Sequence, residues 1–123
     1  MIGDVTRSEE ASIRPNIVFC GVNGHIEVGD RTTIQDNAVC HDPTEIDPDV
    51  TVGHRAIVHA VTVEERASIG MGVVLDNAHV GHHSIIGAGS VVTEGTAVPP
   101  HSFVVGAPAM VNGEVSDSKW SEG

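Results

Sequence analysis

The sequence predicts an all-β fold in which short parallel strands wind into a coil, and three observations support this. Aliphatic residues recur at steps of six, with two steps of five, from Val52 to Val104. A small or β-branched residue lies two positions before each of them. Glycine often follows the aliphatic position, where a corner needs unusual backbone angles. An amphipathic helix would need spacings of three and four, so the period indicates hexapeptide repeats stacked as a parallel β-helix.

The repeat also predicts where the coil begins and ends. It extends backward from Val52 to Val28 and, after a nine-residue step, through Phe19 to Ile13. We expect a small protrusion at 21–25 and a first turn that caps the coil. The β-helix domain is predicted to span 1–111, followed by a short C-terminal tail at 112–123 that is frayed or forms a short helix around Trp120.

Composition excludes several classes of protein. The chain has 123 residues, which suits one domain, and a formal net charge of −11. This acidity argues against binding to nucleic acid or to anionic membranes. No signal peptide or membrane-spanning apolar run is present, so we expect a cytoplasmic protein. Acidity with a single lysine, Lys119, suits either an ordinary soluble surface or a halophilic host, and stability that falls at low salt would favour the second.

A set of motifs carries a family resemblance. The segments GDRTTIQDNAVCH, VTVGHRAIVHA, SIGMGVVLDNAHVG, SIIGAGSVVTEG and VVGAPAMV follow one another from about Gly29 to Val111. In order and spacing they resemble the γ-class carbonic anhydrases. The resemblance covers Ile2 to about Val111. It implies a left-handed β-helix with three rows per coil, a homotrimer, and zinc (iron or cobalt are alternatives) held by three histidines between subunits. The implied activity is reversible hydration of carbon dioxide to bicarbonate by a metal-bound hydroxide.

With three rows per coil taken from the resemblance, the repeat predicts how the ligands are arranged. His41 and His59 each follow an aliphatic position three rows apart, so they should stack on one face of successive coils. Strands about 4.7–4.9 Å apart let two such imidazoles share one ion. His54 belongs to another row, so we expect a second subunit to supply it, and threefold closure is the simplest symmetric solution. The remaining histidines, His25, His79, His82, His83 and His101, are interpreted as ordinary surface residues.

Two further site residues follow from the resemblance. Gln35 would orient the nucleophile, since an amide offers both donor and acceptor. Asp36 should stack beneath His54 and support it; a structural Gln and a corner-capping Asp are the alternatives.

The sequence departs from the family at one motif. Active relatives carry Arg-Gly-Asp where this chain has Cys20-Gly21-Val22, so both charges are absent. Cys20 also falls on the column of His41 and His59, and Asp76 lies on the same column above them. Cys20 and Cys40 occupy different repeat positions, one outward and one inward, so no disulfide is expected between them.

Two other functions remain open from sequence alone. A catalytically silent metal-binding homologue would bind metal without hydrating carbon dioxide. A hexapeptide acyltransferase uses the same coil with a histidine base, but the protruding loop and coenzyme A site of such enzymes are not evident.

Overall fold

The structure is a computed structural model that describes residues 2–115, with the side chains of Ile2, Val22 and Asn23 excepted. All regular elements in this range are strands, and they wind into a left-handed parallel β-helix of about six turns. The predicted fold class is therefore confirmed. The described range includes no helix that could span a membrane.

Three faces run along the coil. The strand β3 (Val18–Val28) passes from the first face to the second, and β1 (Ile2–Arg7) pairs along it. Face 1 continues through β5 (Val39–His41), β8 (Ile57–His59), β11 (Val74–Asp76) and β14 (Val91–Val92). Face 2 continues through β6 (Thr44–Ile46), β9 (Thr62–Val63), β12 (His79–Val80) and β15 (Ala97–Val98). Face 3 consists of β2 (Ser12–Ile13), β4 (Thr33–Ile34), β7 (Thr51–Val52), β10 (Ser68–Ile69), β13 (Ile85–Ile86), β16 (Ser102–Gly106) and β17 (Ala109–Glu114).

The aliphatic column fills the interior of the coil. Every member from Val52 to Val104 is buried, and Val52 and Val58 are 0% exposed. The earlier members Phe19, Ile34 and Cys40 are buried as well. Because successive coils pair in register, each aliphatic side chain packs on its equivalents above and below, and burial depends on nearest neighbours. The core predicted from the hexapeptide period is confirmed.

Most corners turn through a residue in the left-handed region. Where face 2 turns into face 3, this residue is never glycine: the column comprises Arg31, Asp49, Arg66, His83 and His101, with φ between 58° and 61°. A side chain in this conformation is uncommon outside Asn, Asp and Gly. We call this column the basic corner. Its side chains stand at equivalent positions of successive coils.

The two ends of the coil differ. At the N-terminal end, β1 runs parallel to β3, and residues 22–24 form a bulge between the paired positions Gly21 and His25, where the sequence predicts a protrusion. At the C-terminal end, β17 returns antiparallel on β16 and extends to Glu114. The predicted helix around Trp120 lies outside the described residues and stays a prediction.

Candidate metal centre

Two of the three predicted ligands meet on face 1. His41 ends β5 and His59 ends β8, and they are direct partners in the parallel ladder. Their ring centroids lie 4.6 Å apart with the planes nearly perpendicular. The aliphatic positions Cys40 and Val58 point inward and are fully buried, so period-2 alternation turns both imidazoles outward. The stacking predicted from the repeat is confirmed.

A carboxylate lies beside the Nδ1 atom of each imidazole. His41 Nδ1 lies 3.0 Å from Asp42 Oδ1, and His59 Nδ1 lies 3.0 Å from Asp76 Oδ1. The hydrogen-bond partner of His41 Nδ1 is the Asp42 backbone carbonyl at 3.2 Å, and because a carbonyl can only accept, Nδ1 carries the proton. For His59, the carboxylate of Asp76 beside Nδ1 favours the same tautomer. Both imidazoles would then present the Nε2 lone pair, which is the atom that binds a metal.

The Asp42 carboxylate is unusual because it is buried. Its side chain is 0% exposed, and neither oxygen has a hydrogen-bond partner among the described residues. Burying a carboxylate without compensation is costly, and the imidazole of His41 lies close to it, with Nδ1 3.0 Å from Oδ1. The arrangement ties His41 to one orientation, which suits a ligand whose geometry must be fixed.

His54 lies on the corner between faces 3 and 1. Its side chain is exposed, and among the described residues it does not join His41 and His59 in one group of neighbouring ligand atoms. One chain therefore brings together two of the three predicted ligands. Two neutral imidazoles with fixed tautomers fit a divalent transition metal as part of a donor set that needs at least one more ligand.

Gln35 and Asp36 occupy the same corner one coil below. Because Ile34 pairs with Val52, Asp36 stands in register beneath His54. Both side chains are half-buried, and Asp36 Oδ1 lies 3.6 Å from Arg14 Nε. Their assignment to the site stays a prediction, because no contact connects either residue with the His41–His59 pair.

The outer surface of face 1 is apolar, in contrast to that of face 2. Its outward positions in successive coils hold Val18, Val39, Ile57, Val74 and Val91. The equivalent row on face 2 holds Glu27, Glu45, Thr62, His79 and Ala97. Val18 is 48% exposed and Ile57 is 43% exposed. A contiguous apolar stripe beside candidate ligands is typical of a surface that another protein covers.

The two cysteines are free and differ in environment. Cys20 is half-buried and pairs in register with His41, as predicted, whereas Cys40 points into the core. Burial raises the pKa of the Cys40 thiol to about 12, so this thiol stays protonated at neutral pH. Of the two, Cys20 is the one placed where a thiolate could approach the candidate metal centre.

The structure places three of the other histidines together, an arrangement that their interpretation as ordinary surface residues did not anticipate. His82, His83 and His101 are half-buried, and their ligand atoms lie within 4.8 Å of one another. A signal for this was present in the sequence, because positions 83 and 101 differ by 18, as do positions 41 and 59. His25 and His79 are exposed, as predicted, and lie beside Asp4 and Glu64.

Comparison with known proteins defines the class of this fold and then its family. No protein-family model matches the chain. The crystal structure of a hexapeptide transferase family protein from Anaplasma phagocytophilum superimposes with a TM-score of 0.92 at 36% identity, covering 98% of this chain and 75% of that one. A hexapeptide-repeat acetyltransferase from Vibrio cholerae gives a TM-score of 0.80 at 25% identity, covering 94% and 76%. The chain is thus a hexapeptide-repeat protein.

Curated relatives narrow this class to one family. A carbonic anhydrase from Geobacillus kaustophilus is 42% identical over 94% of this chain. Mitochondrial gamma carbonic anhydrase 2 of Arabidopsis thaliana is 37% identical over 97% of this chain. The chain belongs to the γ-carbonic anhydrase family. It spans 66% of the length of the Geobacillus protein and 47% of that of the Arabidopsis protein.

Proposed function

We propose that the protein is a γ-class carbonic anhydrase that interconverts carbon dioxide and bicarbonate at a metal centre shared between subunits of a homotrimer. In this proposal His41 and His59 of one chain hold the metal together with His54 of the partner subunit. The observation that carries it is the pair of carboxylate-backed imidazoles, which leaves two Nε2 atoms outward on an apolar face.

The apolar stripe of face 1 supports the shared arrangement. A subunit packed on Val18, Ile57 and their neighbours would bury these side chains, each fully buried aliphatic side chain contributing about 1.5–3 kcal/mol. Such packing would bring the face 3–face 1 corner of a neighbour, which carries His54, toward the His41–His59 pair. Cyclic closure then gives every subunit an equivalent site.

A divalent cation held by these ligands would supply Lewis acidity and lower the pKa of a water molecule toward neutrality. The chain's own residues do the rest. The Asp42 backbone carbonyl and the Asp76 carboxylate would hold the two imidazole tautomers. Gln35 would orient the attacking water through its amide, and Asp36, beside Arg14, would support His54. The apolar side chains of face 1 suit carbon dioxide, which has no charge, better than bicarbonate, which must leave.

The reaction balances simply: carbon dioxide and water give bicarbonate and one proton, and the proton passes to buffer. Zinc, iron(II) and cobalt(II) all suit three neutral imidazoles. The metal analysis that accompanies the activity assay decides among them.

Subunit complementation tests the shared centre. His54→Ala and His41→Ala chains should each lose stopped-flow carbon dioxide hydration, by more than about 100-fold, since even indirect supports of a ligand are worth 10–100-fold. Unfolding and reassembling the two chains together in equal amounts should restore about one quarter of the wild-type sites. A site is complete only where a chain that keeps His41 lies beside a neighbour that keeps His54, and each of these conditions is met in half of the cases.

Each outcome of this experiment is informative. No recovery in the mixture, with mixed trimers shown by native mass spectrometry, would disprove ligation across subunits. Full metal occupancy without hydration in the wild-type chain would identify the silent homologue. Turnover of acetyl coenzyme A with an amine acceptor would favour the acyltransferase function, for which the Vibrio cholerae acetyltransferase is the structural precedent.

A further inference from the structure

We propose that His82, His83 and His101 form a second metal site, which binds a divalent transition-metal cation within a single chain. The three side chains lie where face 2 turns into face 3 in the last coils, the corner opposite face 1. The site is therefore distinct from the centre at His41, His54 and His59. It does not depend on the proposed function or on assembly.

The backbone of the corner brings the three residues together. His82 and His83 are consecutive after β12, and His101 follows β15 one coil above. The His101 amide donates to the His82 carbonyl at 3.0 Å. His83 and His101 both occupy the left-handed position of the basic corner, with φ of 59° and 58°. Their rings stack with centroids 4.9 Å apart and planes 11° from parallel.

The nitrogen positions are close to those a metal requires. His82 Nδ1 and His83 Nδ1 lie 3.0 Å apart. Two nitrogens bonded to one tetrahedral zinc are about 3.3 Å apart, as follows from bonds of about 2.0–2.1 Å. The ring of His82 stands nearly perpendicular to those of His83 and His101, at 5.2 Å from each. All three candidate ligand atoms lie within 4.8 Å of one another, so small rotamer changes would converge them.

The charges facing the cluster suit a cation. Glu64 lies one coil below; its Oε1 accepts the His82 amide at 3.1 Å, and its Oε2 lies 2.5 Å from His79 Nε2. The carbonyl of Glu65 accepts the His83 amide at 3.1 Å. Arg66, one coil below His83 in the basic corner, is the opposing charge. The pKa of the Asp49 carboxyl is lowered chiefly by its hydrogen bond with Arg31, and Arg66 adds a smaller electrostatic contribution.

Three neutral imidazoles favour transition metals over the alkaline-earth cations. A donor set of three histidines, with water completing the shell, suits zinc, nickel, copper and cobalt rather than magnesium or calcium. Because His82 and His83 belong to one coil and His101 to the next, the ion would cross-link these two coils. Binding would stabilise the C-terminal end of the β-helix by mass action.

Cobalt(II) titration of the chelator-stripped His59→Ala chain tests the site, because this background removes the face 1 pair. We expect one equivalent of cobalt per chain, with visible absorption bands of histidine-bound cobalt and a raised melting temperature. His82→Asn and His101→Asn in the same background should weaken binding by at least about 10-fold. Asparagine is chosen because it tolerates the left-handed conformation of His101. His25→Asn is the matched control and should change nothing.

The outcomes separate clearly. Binding that weakens in the His82 and His101 variants, which circular dichroism shows to be folded, supports the site. Absence of a bound equivalent in the His59→Ala chain overturns the proposal. So does binding that the two variants leave unchanged, which would mark adventitious surface binding. If either variant fails to fold, nuclear magnetic resonance of the His59→Ala chain decides, because cobalt must shift and broaden the ring signals of all three histidines.

Discussion

The two groups of histidines differ in the number of chains that each proposed site would require. On face 1, strand stacking aligns His41 with His59 but leaves His54 on another corner. At the basic corner, consecutive residues combine with stacking, so His82, His83 and His101 converge within one chain. A coil aligns equivalent positions in successive turns and separates positions in different rows. A site that draws on two rows therefore needs either a turn, where rows meet, or a second subunit.

The two groups also differ in how their imidazoles are held. On face 1 each Nδ1 lies 3.0 Å from a carboxylate, which leaves Nε2 for a ligand. At the basic corner the Nδ1 atoms of His82 and His83 lie beside each other, and the carboxylate of Glu64 contacts the His82 backbone instead. The first arrangement favours an oriented, solvent-accessible metal. The second favours a cross-link between coils.

The largest expected effect comes from charging the apolar stripe. Ile57→Glu would place a carboxylate in the proposed subunit interface, where an unpaired buried charge is costly. We expect monomers by light scattering, loss of carbon dioxide hydration by more than about 100-fold, and unchanged cobalt binding at the basic corner. Thr51→Glu, an exposed strand position on face 3 in the same coil, is the control. A trimer of normal activity in the Ile57 variant would show that face 1 is not the interface.

A smaller effect is expected from removing the support of one ligand. Asp76→Asn takes away the charge beside His59 Nδ1 while keeping the side-chain shape. The affinity of the face 1 centre for metal should fall by about 10–100-fold, measured by competition with a chelating dye.

Glu94→Gln is the matched carboxyl-to-amide control for that variant. Glu94 is exposed and accepts a hydrogen bond from Asn77 rather than from a histidine. Equal affinities in the Asp76 variant and the wild type would mean that His59 needs no carboxylate to serve as a ligand. A change in binding at the basic corner would contradict the separation of the two sites.

The smallest effect is expected in the charged part of the basic corner. Arg31 donates two hydrogen bonds to Asp49, at 2.8 Å and 3.1 Å, and this hydrogen bonding lowers the pKa of the Asp49 carboxyl. A carboxyl whose folded pKa is depressed stabilises the fold above its unfolded pKa, and the contribution is lost as pH falls through the folded value. Asp49→Asn should lower the melting temperature by at most about 2 °C at pH 7, because exposed ion pairs contribute little.

The pH dependence of that difference is the sharper measurement. The melting temperatures of the Asp49→Asn and wild-type chains should begin to converge as pH falls below about 4, the ordinary pKa of an aspartate. They should coincide only below the lowered folded pKa of Asp49, where the wild-type carboxyl is protonated in the folded chain too. Calorimetry at a series of pH values checks this. A difference that grows at low pH would show that Asp49 acts through something other than its charge.

Sequence predicted the part of the molecule that depends on the repeat. The hexapeptide period identified the core from Val52 to Val104. The register identified the His41–His59 ladder, because residues separated by one whole coil occupy equivalent positions on the same face. The same rule applied to His83 and His101 but was missed, since neither follows an aliphatic residue and no motif marked them. Asp42 was missed because burial at a turn is not a periodic property. In the proposed trimer, the position of His54 relative to the pair depends on a second chain, which the repeat within one chain does not specify.

The in-register column at each corner has a consequence for how the protein can change over evolutionary time. Insertion or deletion of one whole coil would leave every inward side chain on an equivalent neighbour, so the interior would tolerate it. A change in length by one residue within a strand would instead turn its aliphatic side chains outward, whereas a corner can absorb extra residues, as the bulge at 22–24 does. The histidine groups are each confined to two adjacent coils. A whole coil inserted between residues 60 and 81 would therefore lengthen the distance between the two groups while each keeps its own histidines, but Asp76 or Glu64 would lose its present neighbour in the adjacent coil.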